Sequence, residues 1–250
     1  MGLPLWLCDE RAYDRYSGAD SCLQRTKTTP MLASPYLLYL GDVRDPISAK
    51  TARGIAVFRP ERCVGQYRLP GCTLSVGLPD LTPAEAAAKG ARTLVLGIAN
   101  HGGYIDEAWL PAIMEALELG MDVANGLHAK LADIAPVRQR AEQLGRRLID
   151  VRHSAGNYPV GKGKRRQGRR LLTVGTDCSI GKMYTSLLLE AEMKKQGLDA
   201  EFAATGQTGI LIAGSGVPLD AVISDFISGS IEWLTPDRDP DHWWVIEGQG

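Results

Sequence analysis

Residues 173–186 read "TVGTDCSIGKMYTS". The apolar run "RLLTVG" predicts a strand over 170–175, and "KMYTSLLLEAEMKKQG" predicts a helix over 182–197 that ends at Gly197. Met183, Leu187 and Ala191 fall on one face of that helix. Between strand and helix, Gly175 and Gly181 bracket a polar turn and Lys182 follows. Such a junction holds anions. The first N–H groups of the helix have no intrahelical partner, the helix dipole is positive there, glycines let the backbone curl, and the lysine adds a point charge. Five residues separate the two glycines, against four in the common G-x-x-x-x-G-K-[ST] pattern. Met183 occupies the position where nucleotide hydrolases carry a Ser or Thr that holds magnesium. A thioether does not ligate a hard cation, and Thr185 lies too far along the helix to replace it simply. The loop is therefore expected to hold a phosphate through Gly175, Thr176, Asp177, Cys178, Ser179, Ile180, Gly181, Lys182, Met183 and Tyr184, with no metal. "DAEFAAT" (199–205) supplies the next strand of a right-handed βαβ unit.

Upstream, strands and helices alternate. "SPYLLYLG" (34–41) and "RTLVLGIA" (92–99) read as buried strands, and "SAKTARGIAVF" (48–58) as a helix running into a strand. "LTPAEAAAKGA" (81–91) opens a helix with Thr82 as N-cap, Pro83 at the first position and Glu85 three after the cap. "DEAWLPAIMEALELG" (106–120) places Trp109, Ile113, Met114 and Leu117 on one helical face, closed by Gly120. "MDVAN" (121–125) is a short strand and "GLHAKLAD" (126–133) a short helix. "PVRQRAEQLGRR" (136–147) is a further helix, and "RLIDVR" (147–152) a strand. Alternation of this kind gives a parallel α/β sheet. The expected fold is α/β: a Rossmann-like domain over 31–152, a basic linker over 153–169, and a P-loop NTPase-like domain over 170–250 that is incomplete at its C-terminus. Residues 1–30 show no sustained period and are expected to be an extension outside the fold, either non-native or disordered.

Bulk composition narrows the function. Lys plus Arg number 28 and Asp plus Glu 29, a net charge of −1 that argues against a bulk nucleic-acid binder. Six of residues 161–170 are Lys or Arg; a solvated linker is the simpler reading of that run than a nuclear-localisation signal. The five cysteines have no C-x-x-C spacing and an odd count, which argues against a disulfide scaffold or zinc site and for a reducing cytoplasm. No apolar run approaches the roughly 20 residues of a membrane span.

The spacing G-T-D-x-x-x-G-K and the closing "WWVIEGQG" (243–250) resemble dethiobiotin synthetase and related P-loop enzymes. That resemblance implies a magnesium-holding role for Glu247 if ATP binds. A larger ordered set resembles the D-glutamate N-acetyltransferase-like family: "GLPDLTPAEAAAKGA", "LGIANHGG", "ALELGMDVANGLH", "RLLTVGTDCSIGKMYTS", "ATGQTGILIAGSGVPLDAVISDFISG" and "HWWVIEGQG", spanning about Pro35 to Gly250. The family continues beyond the EGQG segment, so the chain resembles a C-terminally truncated member, for which poor solubility or weak activity is expected. The resemblance implies acetyl transfer from acetyl-CoA to the amino group of D-glutamate or a related acidic amino acid, giving N-acetyl-D-glutamate, a step of D-amino acid catabolism. No metal is expected.

Acetyl transfer needs a base for the substrate ammonium, donors for the oxyanion, and groups that grip two carboxylates. Strand ends supply candidates. Glu247, Asp225 and His101 are the catalytic candidates, Asp225 as a carboxylate buried in an apolar stretch. Asn100, Gly102, Gly103, His128, Thr205, Gln207 and Thr208 are the substrate-binding candidates, the last three in "ATGQTG", which reads equally as a tight turn. A covalent acyl-enzyme on Cys178 lacks an adjacent base. Two other readings stay open: an ATP- and magnesium-dependent ligase or kinase, and a non-catalytic nucleotide- or partner-binding module. The partners expected are a small acidic amino acid and further copies of the chain in a dimer or larger homo-oligomer, with no nucleic acid and no membrane.

Overall fold

The computed structural model describes residues 32–153, 157–177 and 180–249. The proposed extension over 1–30, Cys178, Ser179 and Gly250 lie outside the described residues.

Two parallel sheets make up the fold. The first carries β1 (Tyr36–Gly41), β2 (Cys63–Arg68), β3 (Thr93–Leu96), β4 (Asp122–Asn125) and β5 (Leu148–Asp150) in the order β2-β1-β3-β4-β5. Its helices are α1 (Lys50–Phe58), α2 (Pro83–Ala88), α3 (Leu110–Glu118) and α4 (Ala135–Leu144). β1, β3 and β4 are buried along their whole length, as continuous runs covered on both faces must be. Doubly wound sheets of this order place ligands outside the strand C-termini where the order reverses, here between β1 and β3. The second sheet carries β6 (Arg169–Leu172), β7 (Ala200–Ala203) and β8 (Trp243–Ile246) in the order β6-β8-β7. Its helices are α5 (Lys182–Lys195), α6 (Gln207–Ala213) and α7 (Ser224–Leu234). β8 pairs with β6 and β7, so its C-terminal end emerges beside the loop before α5.

The capping box of α2 forms as its sequence predicts. Glu85 N–H donates to the Thr82 hydroxyl, and the Glu85 carboxylate accepts from Thr82 N–H. Three local expectations are corrected. Helix α1 does not turn into a strand: it runs to Phe58, because Ile55 and Ala56 are buried in a core shared with α6. The strand that follows is the separate "CVGQYR" of β2, whose mixed burial gives no clean period. "GLHAKLAD" forms only a 3-10 turn over Leu131–Asp133, because side chains capture its backbone. Asn125 accepts from Leu127 N–H and donates to Ala129 O, and Asp150 accepts from Leu131 and Ala132 N–H. On α5, Ala191 is exposed, and Ser186, Leu187 and Glu190 are the residues turned inward.

The basic stretch before β6 docks along α7 rather than extending freely into solvent. Tyr158 stacks edge-on against Trp233 at 5.7 Å, and Glu232 accepts from Lys162 and Gly163 N–H. Arg166 and Arg170 donate to Thr235 O at the end of α7. Lys162, Lys164, Arg165 and Arg169 are exposed.

The two sheets are joined through α1, α5 and α6. Leu38, Ala52, Ile55 and Val95 share one buried cluster with Leu187, Phe202, Ile210, Leu211 and Ile212. The Thr51 and Thr208 hydroxyls share a hydrogen bond of 3.1 Å, and Arg62 donates to Ala213 O at the end of α6. Among the described residues, no helix is long and apolar enough to cross a membrane.

Candidate functional site

A cleft of about 610 Å³ opens where the two sheets meet. Lys50 and Arg53 reach it from α1 and Arg152 from the segment after β5. Gly181 to Tyr184 enter from the start of α5, Gly206 to Thr208 from the start of α6, and Glu247 to Gln249 from the end of β8.

The described residues of the glycine loop lead from β6 into α5. Gly181 caps α5 with φ of 104°, a left-handed conformation that suits a residue without Cβ. Lys182 Nζ donates to Asp177 O and so folds back over the loop. Behind it, the buried Thr173 and Ser186 hydroxyls lie 2.9 Å apart, and Gly248 N–H donates to Thr173. That network joins the loop to the end of β8. Gly175, Thr176, Asp177 and Ile180 are exposed and outside the cleft lining. Met183 and Tyr184 line the cleft and also pack toward the first domain: Met183 against the shared core, Tyr184 edge-on against Phe58 at 5.3 Å. The apolar side chain in place of a Ser or Thr therefore fills part of the contact between the domains.

Glu247 is the one buried carboxylate among the described residues that line this cleft. Its Oε2 accepts from Thr205 N–H and Gly206 N–H, both at 3.0 Å, at the entry to α6. The Thr205 hydroxyl donates to Glu247 O at 2.6 Å and accepts from the Gln249 amide at 2.8 Å. Close packing fixes the carboxyl: a Cβ on Gly209 would stand 2.2 Å from Oε2. Burial raises the Glu247 pKa above the ordinary carboxylate value, against the opposing pull of the Thr205 and Gly206 N–H groups and the Gln249 amide.

The "ATGQTG" segment is a helix start, not an isolated tight turn. Its hydroxyls are committed internally, Thr205 to Glu247 and Gln249, Thr208 to Thr51. Gln207 lines the cleft and makes no side-chain hydrogen bond among the described residues.

Other sequence candidates fall elsewhere. His101 and Gly102 are exposed, and Asn100 donates to Tyr104 O. Gly103 packs closely against the exposed His128. This loop follows β3, beside the 42–49 segment, but none of the four residues of "NHGG" nor His128 lines the cleft. Asp225 is exposed on the first turn of α7, which corrects its reading as a buried carboxylate. Lys50, Arg53, Arg152 and Asp220 form part of the cleft without having been singled out for it. Lys50 and Arg53, three apart, carry the helical spacing of one face, but nothing local says that the face meets α6.

Comparison with known proteins agrees with this architecture. A family described as a domain of unknown function, the DUF1611_N Rossmann-like domain, matches residues 67–154, and its companion, the DUF1611_C P-loop domain, matches residues 159–250. A protein of Tritonibacter scottomollicae named D-glutamate N-acetyltransferase is 55% identical over 220 residues, covering 88% of this chain and 66% of its own length. A protein of the same name from a Pseudoalteromonas species is 53% identical over 216 residues, covering 86% of this chain and 65% of its own. The chain thus spans about two thirds of the length of these curated relatives. The crystal structure of a DUF1611 family protein from Anabaena variabilis superposes with a TM-score of 0.73 at 32% identity, over 87% of this chain and 67% of that one. With a Rossmann-like sheet, a P-loop sheet and these matches, the chain belongs to the DUF1611 family.

Proposed function

We propose that the protein is an N-acetyltransferase that moves an acetyl group from acetyl-CoA to the amino group of D-glutamate or a related acidic amino acid. The observation that carries this reading is the likeness, above 50% identity over most of the chain, to two proteins named for that reaction. The cleft's chemistry supports it. Lys182 and the N-terminal turn of α5 suit a phosphate of the coenzyme. Glu247, buried at the cleft wall with its pKa raised above the ordinary carboxylate value, is suited to take a proton from the substrate ammonium. The freed amine then attacks the thioester carbonyl; the C–N bond forms, the C–S bond breaks, and the thiolate leaves with a proton. The Gln207 amide, which lines the cleft, is suited to donate to the oxyanion that develops on the carbonyl. No step needs a metal, in keeping with Met183 at the position of a cation ligand. Free thiols at Cys63 and Cys72 suit a reducing cytoplasm, where we place the reaction. We also propose that the protein acts as a homo-oligomer.

The test is thioester consumption with D-glutamate, L-glutamate and D-aspartate. Turnover with D-glutamate, unaffected by chelators, supports the reading. Magnesium-dependent ATP turnover without acetyl transfer overturns it.

A further inference from the structure

We infer that Lys50 and Arg53 form a dicarboxylate-recognising wall of the cleft, one cation for each carboxylate of the acceptor. This rests on the proposed function for its choice of acceptor. The cleft lining carries four cationic side chains, Lys50, Arg53, Arg152 and Lys182, and two carboxylates, Asp220 and Glu247. Arg152 is neutralised by Asp220 at 2.6 Å. Lys182 turns to the backbone of its own loop. Glu247 is held by backbone N–H groups and has no cationic partner among the described residues. Lys50 and Arg53 are then the two cations in the cleft that make no ion pair and no side-chain hydrogen bond among the described residues. Lys50 is half-buried and Arg53 exposed at the cleft wall, and unpaired cations there attract an anion.

The spacing of the pair is compatible with a diacid. Lys50 and Arg53 sit three apart on α1, so their Cβ atoms are about 5–6 Å apart on one helical face. The two carboxyl carbons of a five-carbon diacid, four bonds of about 1.5 Å apart, span a similar distance. Thr51, between the two cations, is hydrogen-bonded to Thr208, which places this turn of α1 against the first turn of α6. That turn of α6 follows directly on the two N–H groups holding Glu247. A diacid gripped from α1 would thus present its amino group toward the Glu247 side of the cleft, while the glycine loop stays open to a phosphate. The pair selects acceptors by charge. Arg53 is suited to a bidentate grip and Lys50 to a single contact.

The test is equilibrium binding of D-glutamate, of glutarate and of acetyl-CoA to the protein and to its Lys50→Ala and Arg53→Ala variants, with Arg53→Lys as the conservative control. Each alanine variant is expected to weaken D-glutamate and glutarate by about 10- to 100-fold, the worth of one charge-assisted contact. Acetyl-CoA affinity should change by less than about 3-fold, and Arg53→Lys should recover part of the loss. Weakened acetyl-CoA with unchanged D-glutamate overturns the inference and gives the pair to the coenzyme phosphates. Unchanged binding of every ligand, or a wild type that binds no diacid, also overturns it. Thioester assays on the same samples separate the two proposals. Diacid binding through the pair without thioester consumption removes the proposed function and leaves the inference standing. Acetyl transfer with variant-insensitive acceptor binding does the reverse.

Discussion

Two glutamates in the P-loop domain are almost equally shielded from solvent and have opposite chemistry. Glu190, on α5, meets Lys194 at 2.7 Å and Arg59 at 3.3 Å and accepts from Phe202 N–H. Burial pushes its pKa up, but those partners outweigh it and hold it below the ordinary carboxylate value. Glu247 exposes as little surface but lies deeper, and among the described residues it has backbone and amide donors and no cation, so burial prevails and its pKa rises. The first pins α5 to β7 and reaches across to α1 at the domain boundary; the second opens on the cleft. A buried acid given its own counter-ions is a structural tie. One left without them, at the wall of a cavity, is poised to exchange a proton with a ligand.

The comparison is sharpest in activity. Glu247→Gln keeps an acceptor for Thr205 and Gly206 N–H but cannot take a proton. Its acetyl-transfer rate is expected to fall by about 10²–10⁴-fold with little change in melting temperature. Gly209→Ala removes no polar group but drives a methyl into the space of Oε2, so it should lose roughly 10–100-fold in rate by displacing Glu247. Wild-type activity in that variant would show that the carboxyl position is not critical. Glu190→Ala should act on stability instead. Arg59 and Phe202 N–H lose a buried acceptor, at a cost of about 2–4 kcal/mol read by denaturant unfolding, moderated because Lys194 is half exposed. His101→Ala, outside the cleft, is expected to change the rate by less than about 3-fold on the scale of general acid–base effects.

Stability against pH separates the two acids by sign. The lowered pKa of Glu190 means that its contribution is present at neutral pH and lost as pH falls through its folded-state value. The raised pKa of Glu247 means the opposite. Its contribution is complete below the unfolded carboxylate value and is lost as pH rises through the folded-state value. Wild type should therefore lose stability relative to Glu247→Gln as pH rises from about 4 toward neutrality, and relative to Glu190→Gln as it falls through the same acidic range. Parallel pH curves for all three proteins would contradict the assignment.

The fold was legible wherever one element's sequence was enough. The all-buried strands β1 and β3 are short apolar runs, the Thr82–Glu85 box announces α2, and two glycines with Lys182 announce the loop before α5. It was illegible where another element decides. "GIAVF" has strand-like residues, but packing on α6 keeps it helical. "GLHAKLAD" has a helical look that Asn125 and Asp150 override. The candidate site divides the same way. Glu247 could be read from a buried strand ending in Glu-Gly. "NHGG" has the same form, a glycine-rich loop after a buried strand, yet does not line the cleft. Which strand ends share a cavity is fixed by how α1 docks on α6, through contacts such as Thr51 to Thr208 that lie 157 residues apart. Lys50 and Arg53 were invisible as site residues for that reason.

The central claim is that Glu247 is the proton-accepting carboxylate of an acetyl-transfer site. Its most direct test is the rate of thioester consumption with D-glutamate, wild type against Glu247→Gln, measured from pH 5 to pH 9 with both substrates saturating. The account predicts turnover in the wild type that rises through a single ionisation above the ordinary carboxylate range, and a loss of at least about 100-fold in the variant with that ionisation gone. A variant within about 3-fold of wild type across the range, keeping the same pH profile, would contradict it.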